Sequence, residues 1–385
     1  MAQSFPVSGP VFGILCVAED PPTVIYAGGG GSSKTGVGNS LVVAQIADSV
    51  FTQVARHDTG AELCSSIAYG DGILVACFGA KFRCFSMVAA GAGAQAPPTQ
   101  FELVSEDHVA EDKDSLNGVA LSGGMVATGG DDGVLRLWLL PEPGARVEGT
   151  LWTATRLFVC KGHEAAITSV DFVKGGHLVC SSSKDGSCRV WSAASGVELC
   201  VLPTARGVPP PPPPPKQRNP RARKPDNTIM CRSCIFGGDA AEGLVVYTSQ
   251  SATRGLGYAT KWTLADEGGG GALELTGTAA VVRQVSKHPV SSMLVDGGHV
   301  VCGNVEGVVS VWTADLAPRL RSSAHDLPVT CMATLQGAAV VLSASADGKL
   351  VATSTTPRPM PLFIKLIIFL LFVATCLVAA QQFLL

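Results

Sequence analysis

Apolar and polar positions along this chain follow a short, recurring pattern. A compact run of small and apolar residues leads into a glycine-bearing turn, and a stretch follows in which apolar and polar side chains alternate. In "VALSGGMVATGGDDGVLRLW" (Val119 to Trp138) the last segment swaps faces residue by residue, with Val134, Leu135, Arg136, Leu137 and Trp138 in order. That period of two predicts a β-strand, and a continuous apolar run bounded by turn residues predicts a strand covered on both faces. Helix signals are few, and the 44 glycines weigh against helices further.

The same phrase returns as "ITSVDFVKGGHLVCSSSKDGSCRVW" (Ile167 to Trp191), "SSMLVDGGHVVCGNVEGVVSVW" (Ser291 to Trp312) and, more weakly, "VTCMATLQGAAVVLSASADGKLVATS" (Val329 to Ser354). Asp-Gly at Asp132 to Gly133, Asp185 to Gly186 and Asp347 to Gly348 supplies a hairpin turn in each copy that has it. Fainter copies run from Val11 to Ile46, Leu63 to Met87 and Ser233 to Trp262. "GH" at Gly162 and His163 with Trp191 downstream is the signature of a WD-repeat blade, in which the histidine is a hydrogen-bonding residue and not a catalyst. Seven copies over roughly 350 residues match the ~40 to 50 residues per blade of such folds. The expected fold is therefore an all-β, seven-bladed WD-repeat β-propeller over residues 1–356, one domain because blades cannot bury their faces alone.

Composition adds limits. The formal net charge of -3 gives no general attraction to nucleic acid. The 13 cysteines lack paired spacing, and Cys77, Cys180, Cys302 and Cys331 lie in apolar strands, so they read as reduced core thiols. The one C-x-x-C, Cys231 to Cys234, has no second pair at zinc spacing. A proline run (Pro209 to Pro215) followed by Lys216, Arg218, Arg221, Arg223 and Lys224 marks residues 207–227 as a loop inserted between blades four and five. Its readings are an SH3-type ligand, a nuclear localisation patch, contact with anionic lipid, or an insertion with no role. Nucleic-acid binding is not expected there, because no aromatic side chains accompany the charges.

From Leu362 to Ala380, "LFIKLIIFLLFVATCLVAA" carries a single charge, Lys365. As a helix it would span ~28 Å at ~1.5 Å per residue, matching the hydrocarbon core of a bilayer. The expectation is a single-pass, tail-anchored protein whose N-terminal domain faces the cytosol.

One stretch, "AGGGGSSKTGVGN" (Ala27 to Asn39), comes within one residue of a phosphate-binding loop, with Ser33 where glycine belongs before Lys34 and Thr35. Such a loop feeds a strand into a helix, but here "TVIYA" precedes it and "SLVVAQIA" follows it, both strand-like. The glycines instead permit a curled connection within blade one.

Taken with the blades and the apolar C-terminal stretch, the loop's "GGGG" and "TGVGN" make the chain resemble the membrane-anchored WD-repeat guanine nucleotide exchange factors of the endoplasmic reticulum. That family, which includes the prolactin regulatory element-binding proteins, loads GTP onto the Sar-type small GTPase to begin COPII vesicle formation in ER-Golgi transport. The resemblance implies that Asn39 carries exchange and that Gly28, Gly29, Gly30, Gly31, Ser32, Ser33, Lys34, Thr35, Gly36, Val37 and Gly38 meet the GTPase. It also implies a potassium ion held by main-chain oxygens of the loop. A second family contact, an acidic residue in the next blade's first loop, would fall to Asp58 or Glu62; the proline that accompanies it in the family is missing from "DTGAELCSS". The expected action is regulatory and needs no nucleophile or general base, with a polar asparagine at the loop tip displacing a switch segment or the Mg²⁺ ligands. The alternative is a non-catalytic membrane scaffold or trafficking facilitator, such as the exchange-factor relatives that assist plant phosphate transporters.

Overall fold

The computed structural model describes residues 3–31, 36–47, 50–89, 98–109, 114–141, 151–210, 228–237, 243–268 and 273–356. The 28 strands, β1 to β28 in chain order, form seven four-stranded antiparallel sheets. Blade one is β2 (Val11–Glu19), β3 (Pro22–Gly28), β4 (Asn39–Ala47) and β5 (Val50–Gly60). Blades two to six are β6–β9 (64–108), β10–β13 (116–161), β14–β17 (167–202), β18–β21 (229–286) and β22–β25 (290–323). The seventh joins β26–β28 (329–354) to β1 (Gln3–Pro6). Its register runs from Gln3 opposite Ala352 to Pro6 opposite Lys349, so the chain's first strand is the outer strand of its last blade.

The first strands of successive blades touch one another around the axis, and β26 meets β2 to close the ring. The second strand of each blade is sandwiched between neighbouring blades, which is why its apolar run is continuous. β7 (Ile73–Phe78), β15 (Leu178–Ser183) and most of β27 (Val340–Ser345) are buried residue after residue. Outer strands alternate, as in β13 (Thr155–Lys161), because only one of their faces is covered. Core clusters therefore lie between blades: Ile25, Ala27, Leu41 and Val43 of blade one pack with Leu74, Ala76 and Phe85 of blade two. The larger of these side chains, Ile25, Leu41, Val43, Leu74 and Phe85, each contribute about 1.5–3 kcal/mol on burial.

The Asp-Gly turns are where the pattern puts them. Gly133, Gly186 and Gly348 have φ of 71°, 92° and 73°, and the preceding aspartate accepts the backbone N–H two residues on, as Asp185 Oδ1 does from Ser187 at 2.8 Å. All lie between the second and third strands of their blades. The expected membrane span, residues 362–380, falls outside the described residues, as do residues 211–227 of the proline-rich insertion. Among the described residues no helix is long and apolar enough to cross a membrane.

Candidate functional site

In six blades the second and third strands are joined by two to four residues; in blade one the connection is residues 29–38. It links β3 to β4, which pair antiparallel from Thr23 opposite Gln45 to Gly28 opposite Ser40. With a strand on each side, the loop cannot work as a phosphate loop on a helix N-terminus. Ser32, Ser33, Lys34 and Thr35 lie outside the described residues. Gly28 to Gly31 and Gly36 to Asn39 define the loop's two limbs.

Asn39 holds those limbs together. Its Oδ1 accepts the N–H of Gly31 at 2.9 Å, and its Nδ2 donates to the Gly31 carbonyl at 3.2 Å and to the Gly60 carbonyl at 2.9 Å. One amide therefore meets the backbone of Gly31 as a second backbone would, and ties it to the end of β5. Asn39 opens β4 and is only 3% exposed, so it stands at the base of the loop and not at its tip. The strand pattern buries its side chain between the limbs, where amide groups are satisfied by backbone partners. In the unpartnered chain the side chain orders the base of the loop.

Glycine is required beside it. Gly29 has φ of 151°, and a Cβ there would lie 2.2 Å from Asn39 Oδ1, while one on Gly28 would lie 2.4 Å from the Pro10 carbonyl. The limbs are also cross-tied: Gly29 N–H donates to the Pro10 carbonyl at 2.9 Å and Gly30 N–H to the Val37 carbonyl at 3.3 Å. Val37 packs on Gly9, whose Cβ would lie 2.5 Å from its Cγ1. Gly36 and Gly38 are exposed, and Gly36 has open space around it. Gly36 and Gly38 are thus offered to solvent beside a base that is locked.

The carbonyls of Pro10, Gly31, Val37 and Gly60 each accept one hydrogen bond from the loop's own donors and keep a second lone pair, so the limbs retain main-chain oxygens of the kind the potassium ion implied by the resemblance takes.

The two acidic candidates separate clearly. Glu62 binds Lys81 at 2.9 Å and Arg83 at 2.6 Å, and Glu106 reaches both cations, at 3.4 Å from Lys81 and 2.5 Å from Arg83. Partial burial would raise the Glu62 carboxyl, but the hydrogen bonds from Lys81 and Arg83 outweigh it and hold the group below its ordinary range. Among the described residues Asp58 pairs only with Arg56, at 2.8 Å, and its side chain is 73% exposed. Asp58 is therefore the acid open to a partner. Arg56 lies along the same edge, and a Cβ on Gly38 would sit 3.5 Å from its guanidinium.

These groups share one face. Antiparallel pairing puts the start of β2, the end of β3, the start of β4 and the end of β5 together, with residues 29–31, 36–38 and 61–63 beside them. Leu202, the end of β17 (Glu198–Leu202), pairs with Cys188 at the start of β16 (Cys188–Ser192), so the chain leaves blade four toward the insertion on this same face.

The other candidate groups are enclosed within or between blades. His163 Nδ1 meets Asp185 Oδ2 at 2.8 Å, its Nε2 meets Ser181 Oγ at 2.9 Å, and Trp191 Nε1 donates to that hydroxyl at 2.9 Å. Burial would raise Asp185, but hydrogen bonds from Ser187 and His163 bring its carboxyl down to about 2. The histidine side chain is wholly enclosed, leaving no edge for substrate. His325 repeats the arrangement with Asp347 at 3.2 Å and Ser343 at 2.9 Å, although "AHD" lacks the glycine that marks the motif. Cys234, half of the lone C-x-x-C, meets Cys180 and Cys188 of the neighbouring blade, with sulfurs within 4.8 Å of one another. The Cys234 thiol lies 3.6 Å from the Ser169 carbonyl, placed to donate to it, and all three side chains are buried. Their meeting depends on blade packing, which the spacing of cysteines cannot reveal.

No curated protein matches the chain. Residues 154–192 match the family model described as "WD domain, G-beta repeat". The match begins at the outer strand of blade three, β13, and ends at Trp191 and Ser192 in the third strand of blade four. The sequence repeat is thus offset from the blade by one strand, the same offset that leaves β1 to complete the seventh blade. With one matched repeat and seven four-stranded blades closed by β1, the chain is a seven-bladed β-propeller carrying a WD repeat, a fold built for interaction.

Proposed function

We propose that this protein is a guanine nucleotide exchange factor for a Sar-type small GTPase, acting at the endoplasmic reticulum membrane in COPII vesicle formation. The observation that carries the reading is the ten-residue glycine connection of blade one, residues 29–38, clamped at its base by Asn39 where other blades have a short turn. A GTPase holds its nucleotide tightly, so an exchange factor must prefer the nucleotide-free state; reversing a 1:99 population takes ~5.5 kcal/mol of differential affinity. A loop held rigid before docking does not spend binding energy on its own ordering. In this reading Asn39 is a positioning residue, Gly28 to Gly38 form the contact, Asp58 adds a rim charge, and no covalent step is required. The apolar stretch at residues 362–380 would hold the protein at the membrane.

The test is nucleotide release. Added to a GDP-loaded Sar-type GTPase, the whole chain, or residues 1–356 with all 28 strands, should accelerate GDP release. Failure of the wild-type protein to do so would sink the proposal. In that event, recovery of a membrane cargo protein in place of the GTPase would favour the scaffold reading.

A further inference from the structure

Every first strand of a blade shifts register against its neighbour near its start. The residue at the shift is Ser65 in blade two, Asn117 in blade three, Thr168 in blade four, Ser291 in blade six and Thr330 in blade seven. Each of these five side chains pegs the next blade. Ser65 donates to the Leu116 carbonyl at 2.8 Å, Asn117 to Ile167 at 2.9 Å, Thr168 to Cys231 at 2.7 Å, Ser291 to Val329 at 2.6 Å, and Thr330 to Val11. Two positions break the series, Phe12 and Arg232. Phe12 has no group to donate. Arg232 turns back into its own blade, where its Nε donates to Ser251 Oγ at 2.7 Å.

All seven positions line one cavity of about 280 Å³ on the propeller axis, opening on the face that carries the glycine loop. Among its lining residues Arg232 is the sole charge, and no carboxylate of the described residues pairs with it. The cavity is therefore a polar well with one cation whose charge no carboxylate among the described residues offsets. Burial holds the guanidinium below its ordinary range, as expected for a cation deprived of water without an anion in exchange.

We propose that this axial cavity binds a small oxyanion of the phosphate class, inorganic phosphate or a compact phosphate monoester, on the Arg232 guanidinium. A guanidinium forks two parallel hydrogen bonds onto phosphate, and with Nε held by Ser251 its two terminal nitrogens remain as the fork. The volume lies below the ~300–1,000 Å³ of pockets that take drug-sized ligands, which selects a compact anion. The site does not depend on the exchange reading, and its test does not measure exchange.

The experiment is calorimetric titration and thermal unfolding of the whole purified chain with sodium phosphate and with glycerol 3-phosphate, against sodium chloride at equal ionic strength. Phosphate should bind and raise the melting temperature above the chloride control. Arg232→Gln should weaken phosphate binding at least about tenfold, and Arg232→Lys, which keeps the charge but loses the fork, should fall between the two. Melting in chloride checks that the variants fold. Should Arg232→Gln fail that check, Ser251→Ala keeps the charge, removes the anchor and should weaken binding a few-fold. No advantage of phosphate over chloride in the wild type, or binding unchanged in the folded variants, would overturn the site.

Discussion

Replacing Asn39 with alanine tests the clamp directly. The substitution removes three hydrogen bonds, to Gly31 N–H, to the Gly31 carbonyl and to the Gly60 carbonyl. Each is worth about 0.5–1.5 kcal/mol net, and the lower half of that range applies because Gly60 is exposed and Gly31 half-buried, so water can replace the lost partner. The loss should come to about 2 kcal/mol. At ~2.1 cal/mol/K per residue, a propeller of this size loses only about 3 °C in Tm for that amount, so the fold survives while the loop comes loose. Amide hydrogen exchange reads the loop itself: Gly31 N–H should lose roughly fivefold or more of its protection, and strands far from blade one should be unchanged. GDP release should fall in parallel. Asn39→Asp should behave like the alanine variant or worse, because it retains the acceptor for Gly31 N–H but sets a negative charge against two carbonyls. Undiminished Gly31 protection in Asn39→Ala would refute the clamp, and loss of exchange with that protection intact would mean that the asparagine meets the partner itself.

Three further outcomes follow from the same structure. Gly29→Ala forces a Cβ to 2.2 Å from Asn39 Oδ1 at a φ of 151°, and thermal unfolding should show it more destabilising than Asn39→Ala, by about 3 kcal/mol or more in all. His325 is held below its ordinary pKa, chiefly by burial, so the unfolded chain takes up its proton first as pH falls. Stability should be full above about pH 6.5 and decline below it, with His57, lowered chiefly by burial and then by Arg83, adding in the same direction. His325→Gln should flatten that slope in melting curves taken between pH 7 and pH 5. The depressed Asp185 acts in a lower window, with stability lost as pH drops from about 4 toward about 2. Finally, burial pushes the thiols of Cys64 and Cys302 up to about 12, so a thiol reagent at pH 8 should label them only after denaturant is added. Rapid labelling of the native protein would contradict the packing.

Much of the fold can be read from residues because each blade repeats a local rule. Asp185 and Gly186 announce a turn, and the alternation from Val134 to Trp138 announces a half-covered strand, whatever lies elsewhere in the chain. The pairing of Gln3–Pro6 with Lys349–Ala352 has no such local mark, since a four-residue strand carries no period and its partner is at the other end of the chain. The glycine loop was visible by composition, and its place between two strands by their β-branched residues. What Asn39 does was not visible, because a side chain that imitates a backbone partner is defined by where Gly31 and Gly60 happen to lie. The same holds for Arg232, which in sequence is one basic residue in "CRSC" and in the ring is the position where the run of polar pegs is broken by a charge.

The latch made by β1 also orders events in time. During synthesis β1 is made before blades one to six and is the last strand to find its place, because Lys349 to Ala352 are made only after six blades have had the chance to stack. Until then the nascent chain carries an unfinished edge at each end, and either can pair with a neighbouring chain instead. Contacts that span nearly the whole chain are slow to form. A bulky fusion at the N-terminus, or loss of the first six residues, should therefore reduce the yield of closed rings more than the few hydrogen bonds of a four-residue strand would suggest.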